Sequence, residues 1–213
     1  MNANETKVFI AVPSMDFVAA GFAQSLATLN KFGQCQVSFI CGSLIYDARN
    51  KLAAQAMKAE ADYVMWFDSD MTFAPNTMIK LLQDMEANPD AGIISGIYFR
   101  RSVPYTPVAF QEFDIVDGRA KFTNYEGELT GIHEVGGVGF GCCLVRTDVL
   151  FECFAKYETC FSPIASVGED LSFCWRAKQL GYKTLLDMDI KCGHVGHVVV
   201  TEQLYKAISE GES

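Results

Sequence analysis

The sequence predicts an α/β fold: an open, mainly parallel β-sheet flanked by helices, with a smaller mixed β region in the second half of the chain. Two observations carry this prediction. Apolar segments alternate with segments of helical periodicity through the first hundred of the 213 residues, in the order β-α-β-α-β-α-β. One apolar segment, Tyr63 to Phe67, is uniformly bulky, which is typical of a strand buried on both faces.

The elements of the first half follow from local patterns. Four apolar segments predict strands, at residues 7–12, 36–40, 63–67 and 91–99. Three helices are predicted between them, over residues 16–29, from a cap at Asp47 onward, and from Pro75 to about Glu86. The inward stripe of the third helix consists of Met78, Leu81, Leu82 and Met85.

The second half of the chain no longer shows the regular alternation of strands and helices. Asp117-Gly118, at the centre of residues 108–123, predicts a β-hairpin. A glycine-rich run, Gly136 to Gly141, precedes an apolar strand and a short helix that Thr147 or Asp148 caps. The other predicted elements are a helix over residues 171–180 opened by Gly168-Glu169-Asp170, a strand at 184–186, and a turn at 192–197 with His194 and His197.

Composition limits the classes of function. The net charge of -9 argues against a nucleic-acid surface, which needs clustered lysine and arginine. No apolar run reaches the roughly 18 residues of a membrane span, and the first residues lack the order of a signal peptide, so a cytoplasmic protein is expected. The eight cysteines show no C-x-x-C spacing, which predicts reduced core residues.

An Asp-x-Asp motif follows the strand at 63–67. Asp68 and Asp70 come at its carboxyl end, where α/β sheets place ligands. Two carboxylates there suit a divalent cation that also binds substrate phosphates. The alternative is a turn that caps the next helix. The chain has no G-x-G-x-x-G or G-x-x-x-x-G-K-[ST] motif, so dinucleotide and P-loop sites lack support.

Three further segments each have two interpretations. The glycine run allows close approach to a ligand, or forms a loop without one. Glu169 and Asp170 are candidate functional acids, or favourable charges at a helix N-terminus. His194 and His197 are candidate ligands, or polar residues satisfied by the protein itself.

Five segments occur in a diagnostic order: Asp47-Ala48-Arg49-Asn50, the strand ending in Asp68-Ser69-Asp70, the run Gly136 to Gly141, Gly168-Glu169-Asp170-Leu171, and His194. In this combination, across nearly the whole chain, the sequence resembles a glycosyltransferase of the GT-A fold, of the family 2-like kind. The resemblance implies one GT-A domain over residues 1–213. About residues 1–100 would bind a nucleotide-sugar donor and about 101–213 the acceptor.

The resemblance also implies roles for particular residues. Asp70 would bind Mn²⁺ or Mg²⁺, Asp68 would contact the ribose or the metal's water, and His194 would complete the metal's ligands. The remaining implied roles are the nucleoside pocket for Pro13 and Arg49, the base for Asp170 with Glu169 beside it, and the acceptor side for Gly137 and Gly139. The implied activity is that of a hexosyltransferase using a UDP- or GDP-sugar, with a glycan, a protein or a small molecule as acceptor.

Departures from the family pattern set further expectations. The chain lacks the long C-terminal extension of processive members, which argues against polymer export. The segment from His194 to His197 is followed by three valines instead of the H-x-x-G-x-K-P-W-like ending of many retaining enzymes, which favours inversion. Residues 100–133 contain no motif that can be placed in the family pattern, which leaves the acceptor open. Two other readings remain open: a binding module without turnover, and a nucleotidyltransferase that releases pyrophosphate.

Overall fold

A seven-stranded sheet forms the centre of the molecule in the computed structural model, which describes residues 5–196. In that range the strands are β1 (Lys7–Ser14), β2 (Gln34–Cys41), β3 (Tyr63–Phe67), β4 (Met71–Thr72), β5 (Ala91–Ile97), β6 (Ala109–Val116), β7 (Arg119–Asn124), β8 (Ile132–Val135), β9 (Gly137–Val138), β10 (Cys142–Arg146), β11 (Lys183–Lys191) and β12 (Gly193–His194). The helices are α1 (Ala20–Thr28), α2 (Ile45–Lys58), α3 (Thr77–Ala87), α4 (Thr147–Tyr157) and α5 (Glu169–Gln179).

The central sheet has the strand order β2-β1-β3-β10-β5-β11-β8. Strands β2, β1, β3, β5 and β11 run in one direction, whereas β10 lies antiparallel between β3 and β5, and β8 lies antiparallel on β11. The predicted open, mainly parallel sheet is therefore confirmed. A smaller β region is present in the second half, as the three-stranded sheet β7-β6-β9, but it is antiparallel throughout and not mixed. The antiparallel pair β12-β4 joins the two halves of the chain.

The sheet is covered on both faces because its central strands bury alternate residues in opposite directions. Phe9 and Trp66 pack with α2, α4 and α5 in one cluster. Ile10 and Phe67 pack with α1 and α3 in a second cluster on the other face. The four residues predicted to face inward from α3 are at most 3% exposed. Helices on both sides bury the two faces of the sheet and leave its carboxyl edge open for a site.

The predicted helix starts were wrong by up to four residues. Helix α1, predicted from residue 16, begins at Ala20, and helix α5, predicted from residue 171, begins at Glu169. Helix α2 begins at Ile45, so Asp47 lies in its first turn, where its carboxylate accepts from Ser43 and pairs with Lys51. Helix α3 begins at Thr77, two residues after Pro75. Helix α4 begins at Thr147 after an extended Arg146, so neither Thr147 nor Asp148 is its cap. In α2 and α4 an extended residue takes the cap position, without a capping side chain.

The hairpin prediction is confirmed. Strands β6 and β7 pair antiparallel, and both turn residues have positive φ, 52° at Asp117 and 71° at Gly118. Positive φ at both positions is the type I′ geometry that matches the twist of the flanking strands.

The predicted turn at 192–197 was wrong in its first part. Gly193 and His194 form β12, which pairs antiparallel with β4 directly after Asp70. The short pairing places His194 opposite Met71. His197 lies outside the described residues.

The cysteine prediction is confirmed. All eight cysteines are free, and six of them are buried, namely Cys142, Cys143, Cys153, Cys160, Cys174 and Cys192. Among residues 5–196, none of the helices has the length and apolar character that crossing a bilayer requires.

Candidate active site

A cleft of about 310 Å³ opens at the carboxyl edge of the sheet. It lies where β1 and β3 end and where α5 begins. Its lining includes seven of the nine predicted site residues, Pro13, Arg49, Asp68, Asp70, Glu169, Asp170 and His194, together with Arg101. Gly137 and Gly139 are not part of this lining. Residues that are up to 181 positions apart in the chain thus face one space.

The Asp-x-Asp motif forms a tight turn at the end of β3. The Asp68 amide donates to the Gly141 carbonyl at 3.1 Å, and the Met71 amide donates to the Asp68 carbonyl at 3.1 Å. Helix α3 begins only at Thr77, with Asn76 at its N-cap position. Neither carboxylate of the motif caps that helix, so the capping interpretation of Asp68 and Asp70 was wrong.

Arg49 links the two halves of the cleft. Its side chain is only 2% exposed, and it donates from Nη2 to Asp68 Oδ1 at 2.8 Å and from Nε to Glu169 Oε1 at 3.1 Å. Its guanidinium carbon lies 5.6 Å from the ring centroid of Trp66 and 5.4 Å from that of Phe140. This arrangement fixes the end of β3 relative to the start of α5.

The guanidinium of Arg49 stays protonated although it is buried. Burial opposes the charged form, but Asp68, Glu169 and Asp170 outweigh it and raise the pKa of Arg49 above its ordinary value. Because almost none of its surface is accessible, Arg49 serves these carboxylates in the structure. Its predicted contact with a nucleoside stays a prediction.

Asp70 faces two partners on the other side of the cleft. Its Oδ2 lies 2.7 Å from Arg101 Nη1 and 3.6 Å from His194 Nε2. Burial raises the pKa of Asp70, but His194 and Arg101 outweigh it, and the net shift is downward. The same pairing with Asp70 is the main reason that the pKa of His194 is raised. His194 Nδ1 lies 2.9 Å from the Phe99 carbonyl, to which it donates.

Arg101 is a residue that the sequence reasoning missed, because it lies in the unassigned segment 100–133. One signal was available. Arg100 and Arg101 follow β5 at its carboxyl end, the same edge at which Asp68 and Asp70 follow β3. The strand-end argument that selected the aspartates also applied to this arginine pair.

Glu169 and Asp170 are the first two residues of α5. The Leu171 amide donates to Asp170 Oδ1 at 2.7 Å, which holds the carboxylate at the helix start. Burial, and then the neighbouring charge of Glu169, raise the pKa of Asp170 to about 6. A carboxylate with a pKa close to the operating pH suits proton transfer.

The two predicted acceptor-side glycines have a packing role. A Cβ at Gly137 would lie 2.6 Å from Leu171 Cδ2, and one at Gly139 would lie 2.0 Å from the Tyr98 hydroxyl oxygen. Their lack of a side chain therefore lets this segment pack against α5 and Tyr98. A contact with an acceptor stays a prediction.

The residues around Asp70 fit a divalent cation in part. Carboxylate oxygens are the usual ligands of Mg²⁺ and Mn²⁺. A histidine whose Nδ1 donates to a carbonyl has its Nε2 oriented for a metal, and His194 has this arrangement toward Asp70. No group of three His, Cys, Asp or Glu side chains within residues 5–196 is placed to hold a metal. The carboxylate of Asp68 contacts Arg49, whereas the carboxylate of Asp70 contacts Arg101 and His194.

The different partners of the two aspartates predict different effects on stability. Asp68→Asn removes a charged partner from buried Arg49, and we expect it to lower the free energy of unfolding by roughly 1–3 kcal/mol. Asp70→Asn removes a partner of half-exposed Arg101, and we expect a loss below about 1 kcal/mol. Urea denaturation of both variants measures the difference. Equal losses would mean that Arg49 does not depend on Asp68.

Comparison with known proteins gives a family. The Glycosyl transferase family 2 profile matches residues 44–154, which is more than half of the chain. No curated protein has significant similarity to the chain. The family match includes Arg49, Asp68, Asp70 and Arg101, whereas Glu169, Asp170 and His194 lie beyond it. It also spans residues 100–133, where the sequence analysis found no motif of the family.

The solved structures that share the fold include two crystal structures of other proteins. The crystal structure of A197 from STIV superposes with a TM-score of 0.61 at 14% identity, covering 92% of this chain and 97% of that one. The crystal structure of GalNAc-T7 with UDP, GalNAc and Mn²⁺ superposes with a TM-score of 0.59 at 11% identity, covering 91% of this chain and 44% of that one. This chain thus spans less than half the length of GalNAc-T7. The predicted GT-A fold is confirmed, and by its profile match the chain belongs to glycosyl transferase family 2.

Proposed function

We propose that the protein is a divalent-metal-dependent glycosyltransferase of the hexosyltransferase type. It moves a sugar from a UDP- or GDP-sugar to an acceptor hydroxyl, with inversion at the anomeric carbon. The observation that carries the proposal is the meeting of Asp68, Asp70, Glu169, Asp170 and His194 in one cleft at the carboxyl edge of the sheet. Membership of glycosyl transferase family 2 supports it.

Asp70 and His194 would hold the cation, Mn²⁺ or Mg²⁺, with Asp68 toward the donor's ribose or a water of the metal. The bound cation would stabilise the negative charge that a nucleoside diphosphate gains as it leaves. The Mn²⁺ and UDP in the GalNAc-T7 structure support this choice of metal and donor. Pro13, at the end of β1, would line the nucleoside pocket.

Asp170 would act as the base. An attacking hydroxyl must lose its proton, and a carboxylate accepts it when it is held on the face of the sugar opposite the leaving group. Arg49 binds Glu169, the neighbour of Asp170, and so holds the start of α5 against the end of β3. In the proposed division of this single domain, about residues 1–100 bind the donor and about 101–213 the acceptor.

The test is release of nucleoside diphosphate from a panel of UDP- and GDP-sugars, with Mn²⁺ and with EDTA. Metal-dependent release from one donor is expected. Stabilisation by a donor in a thermal-shift assay, without release under any condition, would indicate a binding module. Release of pyrophosphate from a nucleoside triphosphate would instead indicate a nucleotidyltransferase.

The histidine assignment makes a separate prediction. His194→Ala is expected to weaken Mn²⁺ binding in the presence of donor by at least about tenfold, because a metal ligand is lost. His197→Ala is expected to be nearly silent and is the matched control. Titration of Mn²⁺ by electron paramagnetic resonance measures both. The opposite pattern would assign the ligand to His197.

A further inference from the structure

The negative charge of the cleft opposes the binding of an anionic donor. Four carboxylates line it, in a protein whose net charge is -9. Two arginines lie against these carboxylates. Arg49 is 2% exposed and already holds Asp68 and Glu169, so it has little surface for a ligand. Arg101 is 49% exposed, and it is therefore the lining arginine with a charge that a ligand can reach.

The backbone around Arg101 is held in place while its side chain is accessible. The Arg100 amide donates to the Thr106 carbonyl at 3.0 Å, and the Tyr105 amide donates to the Ser102 carbonyl at 2.8 Å. A bridge between Phe99 and Pro107 closes the base of this loop. The guanidinium can therefore change its partner by side-chain rotation without movement of the loop.

Arg101 contacts the atom that a cation would use. Its Nη1 lies 2.7 Å from Asp70 Oδ2, and His194 Nε2 lies 3.6 Å from the same oxygen. A divalent cation bound to these two atoms would lie beside the guanidinium, and like charges repel at that range. Arginine also binds phosphate oxygens in a planar, two-pronged geometry.

We infer that the guanidinium of Arg101 pairs with Asp70 in the free protein, in place of a metal ion. When a divalent metal binds Asp70, the guanidinium moves to the diphosphate of the donor. This inference rests on the proposed function. It makes Arg101 a donor-binding residue with two opposite effects. Arg101 competes with the metal when no nucleotide is present, and it favours the complex of metal and nucleotide, so the two ligands bind cooperatively.

The test measures both effects in the whole chain. Mn²⁺ binding alone is followed by electron paramagnetic resonance, and UDP and GDP binding at saturating Mn²⁺ by calorimetry. Arg101→Gln is expected to bind Mn²⁺ alone about two- to fivefold more tightly, the range for a half-exposed ion pair. It is expected to bind the nucleoside diphosphate about tenfold or more weakly, because a charge-assisted hydrogen bond is lost.

Two further variants serve as controls. Arg101→Lys keeps the charge without the planar geometry, and we expect it to fall between the parent and Arg101→Gln in both measurements. Arg100→Gln changes the neighbouring exposed arginine, which does not line the cleft, and should match the parent.

The outcomes separate this inference from the proposed function. If Arg101→Gln binds Mn²⁺ alone no more tightly than the parent, or binds the nucleotide equally well, the exchange of partners is wrong while the proposed function stands. If the parent binds neither Mn²⁺ nor either nucleotide, both are wrong. An Arg100→Gln variant that matches Arg101→Gln would show only a general effect of positive charge and would also overturn the inference.

Discussion

Asp170→Asn is expected to lower sugar transfer by about 10²–10⁴-fold, the usual contribution of a positioned general base. Asparagine keeps the size of the side chain, and its Oδ1 can still accept from the Leu171 amide. What is lost is the ability to take a proton from the acceptor hydroxyl. Donor affinity should change little, because the base acts on the acceptor in the transition state. Single-turnover kinetics and donor titration measure the two quantities.

The pH profile of the parent provides a second readout. Only the ionised form of Asp170 accepts a proton, and its pKa is raised to about 6. kcat/KM is therefore expected to fall about tenfold per pH unit below about 6 and to level off above it. The residual activity of Asp170→Asn should lack this dependence.

The matched control for Asp170 is Asp117→Asn. Asp117 is exposed at the turn of the β6–β7 hairpin, and asparagine tolerates its positive φ. This variant should transfer sugar as the parent does. Near-normal transfer by Asp170→Asn, or an equal loss of donor binding, would reject the base. A product that keeps the donor's anomeric configuration would reject inversion.

Asp70→Ala is expected to abolish Mn²⁺-dependent donor binding. The carboxylate is the one that faces His194, so its loss removes the core of the proposed metal site. Binding of a ligand to the folded state alone stabilises it, by about 2.7 kcal/mol when the ligand is at 100 times its Kd. The parent should show a gain of that order with nucleotide sugar and Mn²⁺, and the variant should show none. Denaturant unfolding with and without both ligands measures the gain.

The fold of the Asp70→Ala variant should remain intact. The side chain is partly exposed, and its ion pair with Arg101 is half in solvent, so little stability depends on it. Unfolding data without ligand provide the control. A variant that gains as much stability from donor and Mn²⁺ as the parent does would show that Asp70 is not a metal ligand.

Local patterns in the sequence predicted much of the scaffold correctly. The bulky run at Tyr63 to Phe67 predicted a strand buried on both faces, and β3 is such a strand. Asp117-Gly118 predicted the hairpin turn, and the spacing of apolar residues predicted the buried face of α3. These features depend on residues within a few positions of one another, so a single segment contains the whole signal.

Contacts between distant residues decided the rest. Strand β10 enters the sheet antiparallel between β3 and β5, a placement that its own residues do not specify. The two-residue strands β4 and β12 are too short to show periodicity, yet their pairing brings His194 to Asp70. The predicted helix starts were wrong for a different, local reason: in α2 and α4 an extended residue without a capping side chain takes the cap position.

The same distinction between local patterns and distant contacts applies to the candidate active site. By itself the sequence determined which carboxylates follow a buried strand or open a helix, because residue type and strand ends are local properties. Only the tertiary structure decided their partners. It buries Arg49 between Asp68 and Glu169, which is 120 positions away, and places Arg101 against Asp70, which is 31 positions away. An ion pair between distant segments has no sequence period, since its geometry exists only once the sheet has assembled.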